Sequence, residues 1–175
     1  MTRTNVKNLV CAALCLALAL LLPLVTGQIP QVGNMLLPMH IPVLLSGFLC
    51  GPFWGVLVGF TAPLLRYVIF GMPVIYPMGI SMAFELSAYA LTAGMMYRLL
   101  PKKVSCIYVS LISAMVAGRI IWGLVRFVLA GLSGSEFPFS AFIAGAVTEA
   151  IPGIIIQLIL LPVIIMALKK SKLMN

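Results

Sequence analysis

Five charged residues and the one histidine interrupt the apolar runs of the chain: Arg66, Glu85, Arg119, Arg126, Glu149 and His40. Charge placed at membrane depth is expensive, so such groups face a protein interior, a partner or a cavity. Glu85 and Tyr89 are four residues apart and share one helical face. Arg119 and Arg126 are seven apart, with Trp122 between them, and share another. Glu149 precedes Pro152, whose missing N–H frees a backbone carbonyl near the level of the carboxylate. Three Arg less two Glu leave the spans with one positive charge in excess. A cavity of that polarity, with Trp122, Tyr67, Tyr76 and Phe84 as aromatic supply, suits a small polar molecule bearing a carboxylate or similar acceptor.

The same inventory argues against catalysis. The chain holds one His and no Asp, and neither HExxH nor GxSxG occurs. Nothing supplies a nucleophile beside Glu85 or Glu149, so an enzyme is not expected. The two glutamates could instead handle protons, which keeps open a self-sufficient proton-coupled transporter or channel. A third class is a structural or assembly protein in which the Arg and Glu residues only pair to lock the bundle. Cys11, Cys15, Cys50 and Cys106 form no CxxC pair and no Cys/His ligand spacing, so no metal and no cofactor is expected.

The elements that must position these groups follow from composition. Of 175 residues, 63% are hydrophobic and 8% charged, and the mean hydropathy is +1.20. A soluble domain of this size could not hide so much apolar surface, and a β-barrel would alternate apolar and polar residues. The expectation is a single all-α integral membrane domain over 1–175, multi-pass, with no soluble domain attached. Residues 1–27 have the charge and apolar core of a signal peptide but read as the first span.

A span needs about 20 residues. Clear runs lie at about 8–26, 78–100, 104–131 and 139–168, and the run at 35–70 is too long for one helix. The basic clusters decide: Arg3 and Lys7; Arg98, Lys102 and Lys103; Lys169, Lys170 and Lys172. With a break at "GPFWG" (51–55), helices at 36–50 and 54–70 make six spans. All three clusters then share one side, with both termini cytoplasmic. The charge is thereby explained as topology, and a basic stripe for nucleic acid is missing. On this topology the six ionisable groups fall in the outer half or near the midplane. Gly47, Gly51, Gly55 and Gly59, interrupted by Pro52, read as tight packing on both sides of a turn. Ala13 and Ala17, an AxxxA pair, let a helix approach a neighbour closely. No internal repeat of the kind found in many secondary transporters is visible.

A six-helix chain of this length, with AxxxA at Ala13/Ala17, the run "LPMHIPVLLSGFLCGPFWGVLVGF" (37–60), "PLLRYVIFGMP" (63–73) and "AFELSAYAL" (83–91), resembles the S components of energy-coupling factor (ECF) vitamin transporters. The resemblance covers essentially the whole chain. It implies a substrate-binding subunit of the bacterial cytoplasmic membrane that captures a vitamin with high affinity. It also implies docking on a transmembrane coupling protein driven by two ATPase subunits, and toppling in the membrane to deliver the substrate. The chain has no GxxxxGK[ST], in keeping with a subunit that hydrolyses no ATP. By location, the resemblance assigns ligand contacts to the first outer loop and helix start at 28–40, with Asn34 and His40. It assigns others to Glu85, Tyr89, Arg119, Trp122, Arg126 and Glu149, and partner docking to Ala13 and Ala17. Arg66 joins the candidate set through its depth. Among the family's substrates, the positive excess favours a pantothenate-like ligand, with a pyridoxine-like ring stacking on Trp122 as the next choice.

Overall fold

The structure, a computed structural model, describes residues 3–25, 37–101, 103–135, 137–148 and 150–171. Asn34, Glu149 and the loop portion 28–36 lie outside the described residues. All regular structure among the described residues is helical. The helices are α1 (Arg3–Val25), α2 (His40–Cys50), α3 (Pro52–Phe70), α4 (Ile80–Leu99), α5 (Val104–Ser133), the short α6 (Phe139–Ile143) and α7 (Ile151–Lys170). A kinked turn, Ile75–Gly79, in which Tyr76 is extended (φ −113°, ψ 131°), leads into α4, and a π-helical turn, Ala144–Thr148, follows α6.

Among the described residues four helices are long and apolar enough to cross a membrane: α1, counted from Asn5, α3, α5 and α7. α2 is apolar but only 11 residues long. α4 has 20 residues, yet it carries Glu85, two serines and two tyrosines, which lower its hydropathy. Most of that polarity points inward, since Ser81, Glu85, Tyr89 and Tyr97 are all buried. Away from the basic helix ends, large apolar side chains are exposed along the long helices, for example Leu14, Leu18 and Leu21 on α1 and Ile112, Val116 and Ile120 on α5. A helix that is apolar on its outer surface and polar within is built for a lipid solvent.

α4 is the central post. α5, α3 and α2 pack on it, α1 packs on α2 and α3, and α7 closes against α5 and α2. The glycine ladder makes this possible. A Cβ on Gly47 would lie 2.6 Å from the Ala90 carbonyl oxygen, and one on Gly59 2.6 Å from that of Leu86. One on Gly94 would meet the Gly47 carbonyl at 2.8 Å. α2 and α3 therefore press backbone to backbone on α4, and the ladder is used up within the chain.

The break expected within 35–70 falls at Gly51, with φ +88° between α2 and α3. Only glycine adopts that conformation readily, and Pro52 begins α3, where its missing N–H needs no partner. The Arg98 guanidinium lies against Gly51, and Lys169 Nζ sits 5.3 Å from the Tyr97 ring centroid. The Cys50 thiol lies beside those of Cys11 and Cys15. The α2–α3 turn, the C-terminal ends of α4 and α7 and the N-terminal half of α1 thus gather at one end of the bundle. His40 and Glu85, near the starts of α2 and α4, belong to the other.

The stretch expected as one helix over 139–168 is divided. Pro152 stands in the first turn of α7, a position that starts a helix rather than continuing one. The preceding π-helical turn takes up the extra residues. At that same end Tyr76 donates from its hydroxyl to the Leu129 carbonyl at 2.6 Å, tying the entry of α4 to the upper part of α5.

Candidate functional site

Four of the expected residues come together. Glu85 sits in the second turn of α4, and one of its oxygens, Oε1, accepts from Arg119 Nη1 at 3.0 Å. The same oxygen lies 3.4 Å from His40 Nε2. Tyr89, one turn further along α4, lies against both Glu85 and Arg119. Its ring meets the His40 ring edge-on, with centroids 5.1 Å apart. His40, Glu85 and Tyr89 are each 1% exposed. The Arg119 side chain is 12% exposed.

Local sequence explains each placement. His40 is the first residue of α2, held by a turn in which its N–H reaches the Leu37 carbonyl at 3.0 Å and Leu37 takes a φ of 50°. Gly118 on α5 leaves room for the Tyr89 ring, since a Cβ there would lie 2.8 Å from it. That close approach brings Arg119, the next residue, onto Glu85. A carboxylate at Glu85 accepts only, so the His40 tautomer that bonds to it is the one with its proton on Nε2.

The donors outnumber their acceptors. Among the described residues the donors Arg119 Nε and Nη2, Arg126 Nε and Gln157 Nε2 are buried with no hydrogen-bond partner, and His40 Nδ1 is unpartnered beside them. A buried polar group left unmatched costs about 1–3 kcal/mol, more when charged. Such a set is chemically suited to receive a ligand rich in oxygen or nitrogen acceptors.

Trp122 and Arg126 form a second group, farther toward the C-terminus of α5. The Arg126 guanidinium carbon lies 5.9 Å from the Trp122 ring centroid and 5.2 Å from that of Phe137. Trp122 is 7% exposed and stacks on Phe142 at 6.2 Å. A Cβ at Gly145 would come 2.7 Å from its ring. Here the arginine is held by aromatic faces, a cation–π arrangement. A hollow of about 300 Å³ opens alongside, lined by Ile120, Leu124, Phe127, Phe137, Phe139 and Phe142 with Gly123 at its floor. It is apolar and turned about a quarter of the way round α5 from Arg119, so the acceptor chemistry does not lie there.

Arg66 stands apart. It is 5% exposed and donates from Nη1 to the Leu20 carbonyl on α1 at 3.1 Å, with its guanidinium carbon 5.4 Å from the Phe70 ring centroid. Arg66 joins α3 to α1 and makes no contact with Glu85. Asn34 and Glu149 fall on residues that are not described. Gln157, which charge counting passes over, is 1% exposed on the inner face of α7. Its signal in the sequence is a lone amide within "IIIQLIL", where a lipid-facing helix has no use for one.

Ala13 and Ala17 are both exposed, whereas Ala12, Cys15 and Ala19 turn inward and are buried. Among the described residues no group of His, Cys, Asp or Glu is arranged to hold a metal ion. The chain matches a family model described as ECF transporter, substrate-specific component, over residues 7–165. The comparisons with curated proteins and with solved structures give no match.

Proposed function

The chain belongs to the family of ECF transporter substrate-specific components, and on that premise we propose that it is the high-affinity binding subunit of an ATP-driven importer for a vitamin or related small nutrient. A pantothenate-like or pyridoxine-like compound is the favoured substrate. The observation that carries this reading is the buried His40–Glu85–Tyr89–Arg119 cluster, with the Nε and Nη2 donors of Arg119 left over. In this reading six membrane passages place both termini in the cytoplasm, and the cluster opens to the outside beneath the loop at 28–40. The gathering of Arg98 and Lys169 at the opposite end supports that orientation. The exposed Ala13/Ala17 face of α1 docks on a transmembrane coupling protein, which two ATPase subunits drive, and the setting is the bacterial cytoplasmic membrane. Trp122 and Arg126 form the aromatic, positive wall over the ligand, and Asn34 and Glu149 complete the pocket.

Native mass spectrometry of the detergent-purified chain tests this directly. The expected result is a co-purified vitamin-sized molecule released on unfolding. A chain that retains no small molecule and restores no vitamin uptake alongside a coupling module would overturn the reading.

A further inference from the structure

The orientation of one guanidinium narrows the ligand. Arg119 spends Nη1 on Glu85 Oε1 at 3.0 Å. Its other edge, formed by Nε and Nη2, is buried and meets no acceptor among the described residues. Those two N–H groups are parallel, and their spacing matches the two oxygens of a carboxylate. Glu85 is itself held, since the same Oε1 also faces His40 Nε2 at 3.4 Å. The carboxylate of Glu85 therefore acts as a stop that fixes the guanidinium plane. In the tautomer that donates from Nε2 to Glu85, the His40 ring presents its lone pair at the unpartnered Nδ1. That lone pair calls for a hydroxyl or amide N–H.

We infer that the substrate carries a carboxylate seated on the Nε/Nη2 edge of Arg119, with a hydroxyl or amide N–H beside it for His40 Nδ1. Glu85 is a positioning residue in this arrangement and does not touch the ligand. The inference rests on the binding-subunit reading and deepens it: a hydroxy- or amido-acid fits, and a neutral pyridoxine-type alcohol does not. The nearest alternative occupant of the Arg119 edge, a second protein carboxylate, would have to come from Asp or Glu. Glu85 is the one acidic side chain among the described residues, and Glu136 and Glu149 lie outside them.

Paired acids and neutral analogues test it. The purified chain in nanodiscs is titrated with pantothenate against pantothenol, nicotinate against nicotinamide, and biotin against biotinamide. The expected result is that the acid that binds does so at least about 30-fold more tightly than its neutral partner, the worth of about one bidentate charged contact. In Arg119→Lys, which keeps the charge and loses the fork, the acid weakens about 10-fold or more while the neutral partner changes less than about 3-fold. Equal binding of acid and neutral partner by the wild-type chain overturns the inference, and that arm needs no variant to fold. So does co-purification of a ligand without a carboxylate, which leaves the binding-subunit reading standing. If nothing in the panel binds and nothing co-purifies, both fall.

Discussion

Replacing Gly47 with alanine tests how the fold holds the cluster. The added Cβ would stand 2.6 Å from the Ala90 carbonyl oxygen, 3.1 Å from Ala90 Cα and 3.2 Å from its carbonyl carbon. All three are backbone atoms of α4, so no side chain can swing aside. Real Cβ atoms essentially never come closer than 3.0 Å, so α2 and α4 must part by about 0.4 Å or more. Overpacking of this kind costs about 1–3 kcal/mol, roughly 5- to 150-fold in the folded-to-unfolded ratio. The same shift acts on function, because α2 carries His40 and α4 carries Glu85. Their contact is already 3.4 Å, and a further 0.4 Å or so takes it out of hydrogen-bond range. Gly131→Ala is the control: a Cβ there meets nothing within 4 Å, and helix propensity makes the change neutral or favourable by up to about 1 kcal/mol. The assay is thermal stability of the detergent-solubilised chain, read by fluorescence-detected size exclusion, with ligand affinity measured in parallel. Gly47→Ala should lose stability and affinity together while Gly131→Ala loses neither. If the two variants are equally stable, α2 does not cross α4 at Ala90 and the packing argument fails.

Three further outcomes are expected. Leucine at both Ala13 and Ala17, which are exposed, should abolish co-purification with a coupling module while changing ligand affinity less than about 3-fold; loss of affinity instead would mean that α1 packs differently. Arg66→Ala should reduce thermal stability by about 1–3 kcal/mol through the lost bond to Leu20, yet leave affinity near wild type; a selective loss of affinity would return Arg66 to the site. Trp122→Ala should weaken binding about 10-fold or more and disturb Arg126, which stacks on it. In a Trp54→Phe background the Trp122 emission should shift on ligand addition, and an unchanged spectrum would place the ligand elsewhere.

Much of this was legible before any coordinates, and the reason differs by residue. The basic clusters call for a break within 35–70, and Gly51 and Pro52 supply the backbone chemistry for it, so that division needs no tertiary information. Glu85, Tyr89 and Arg119 stand out because charge is rare at membrane depth, and the helical period already puts Glu85 and Tyr89 on one face. What periodicity cannot supply is the partner. Arg66 has the same rarity and nearly the same depth, but it turns toward the Leu20 carbonyl on α1. That choice depends on how α1 and α3 cross, which no local pattern encodes. Gln157 was passed over for the opposite reason: it is uncharged, and only its burial on α7 makes it costly. The turns at Ile75–Gly79 and Ala144–Thr148 are equally hidden, since they answer to the way Tyr76 reaches Leu129 and to the restart at Pro152.

The central claim is that this chain binds a nutrient for a separate ATP-driven module. Uptake of a labelled vitamin identified by co-purification, measured in cells that express the chain with and without a coupling module, tests it most directly. The account predicts uptake only when both are present, insensitive to collapse of the proton gradient so long as ATP is maintained. Uptake by the chain alone, lost when the proton gradient is dissipated, would contradict it and favour a self-sufficient proton-coupled transporter.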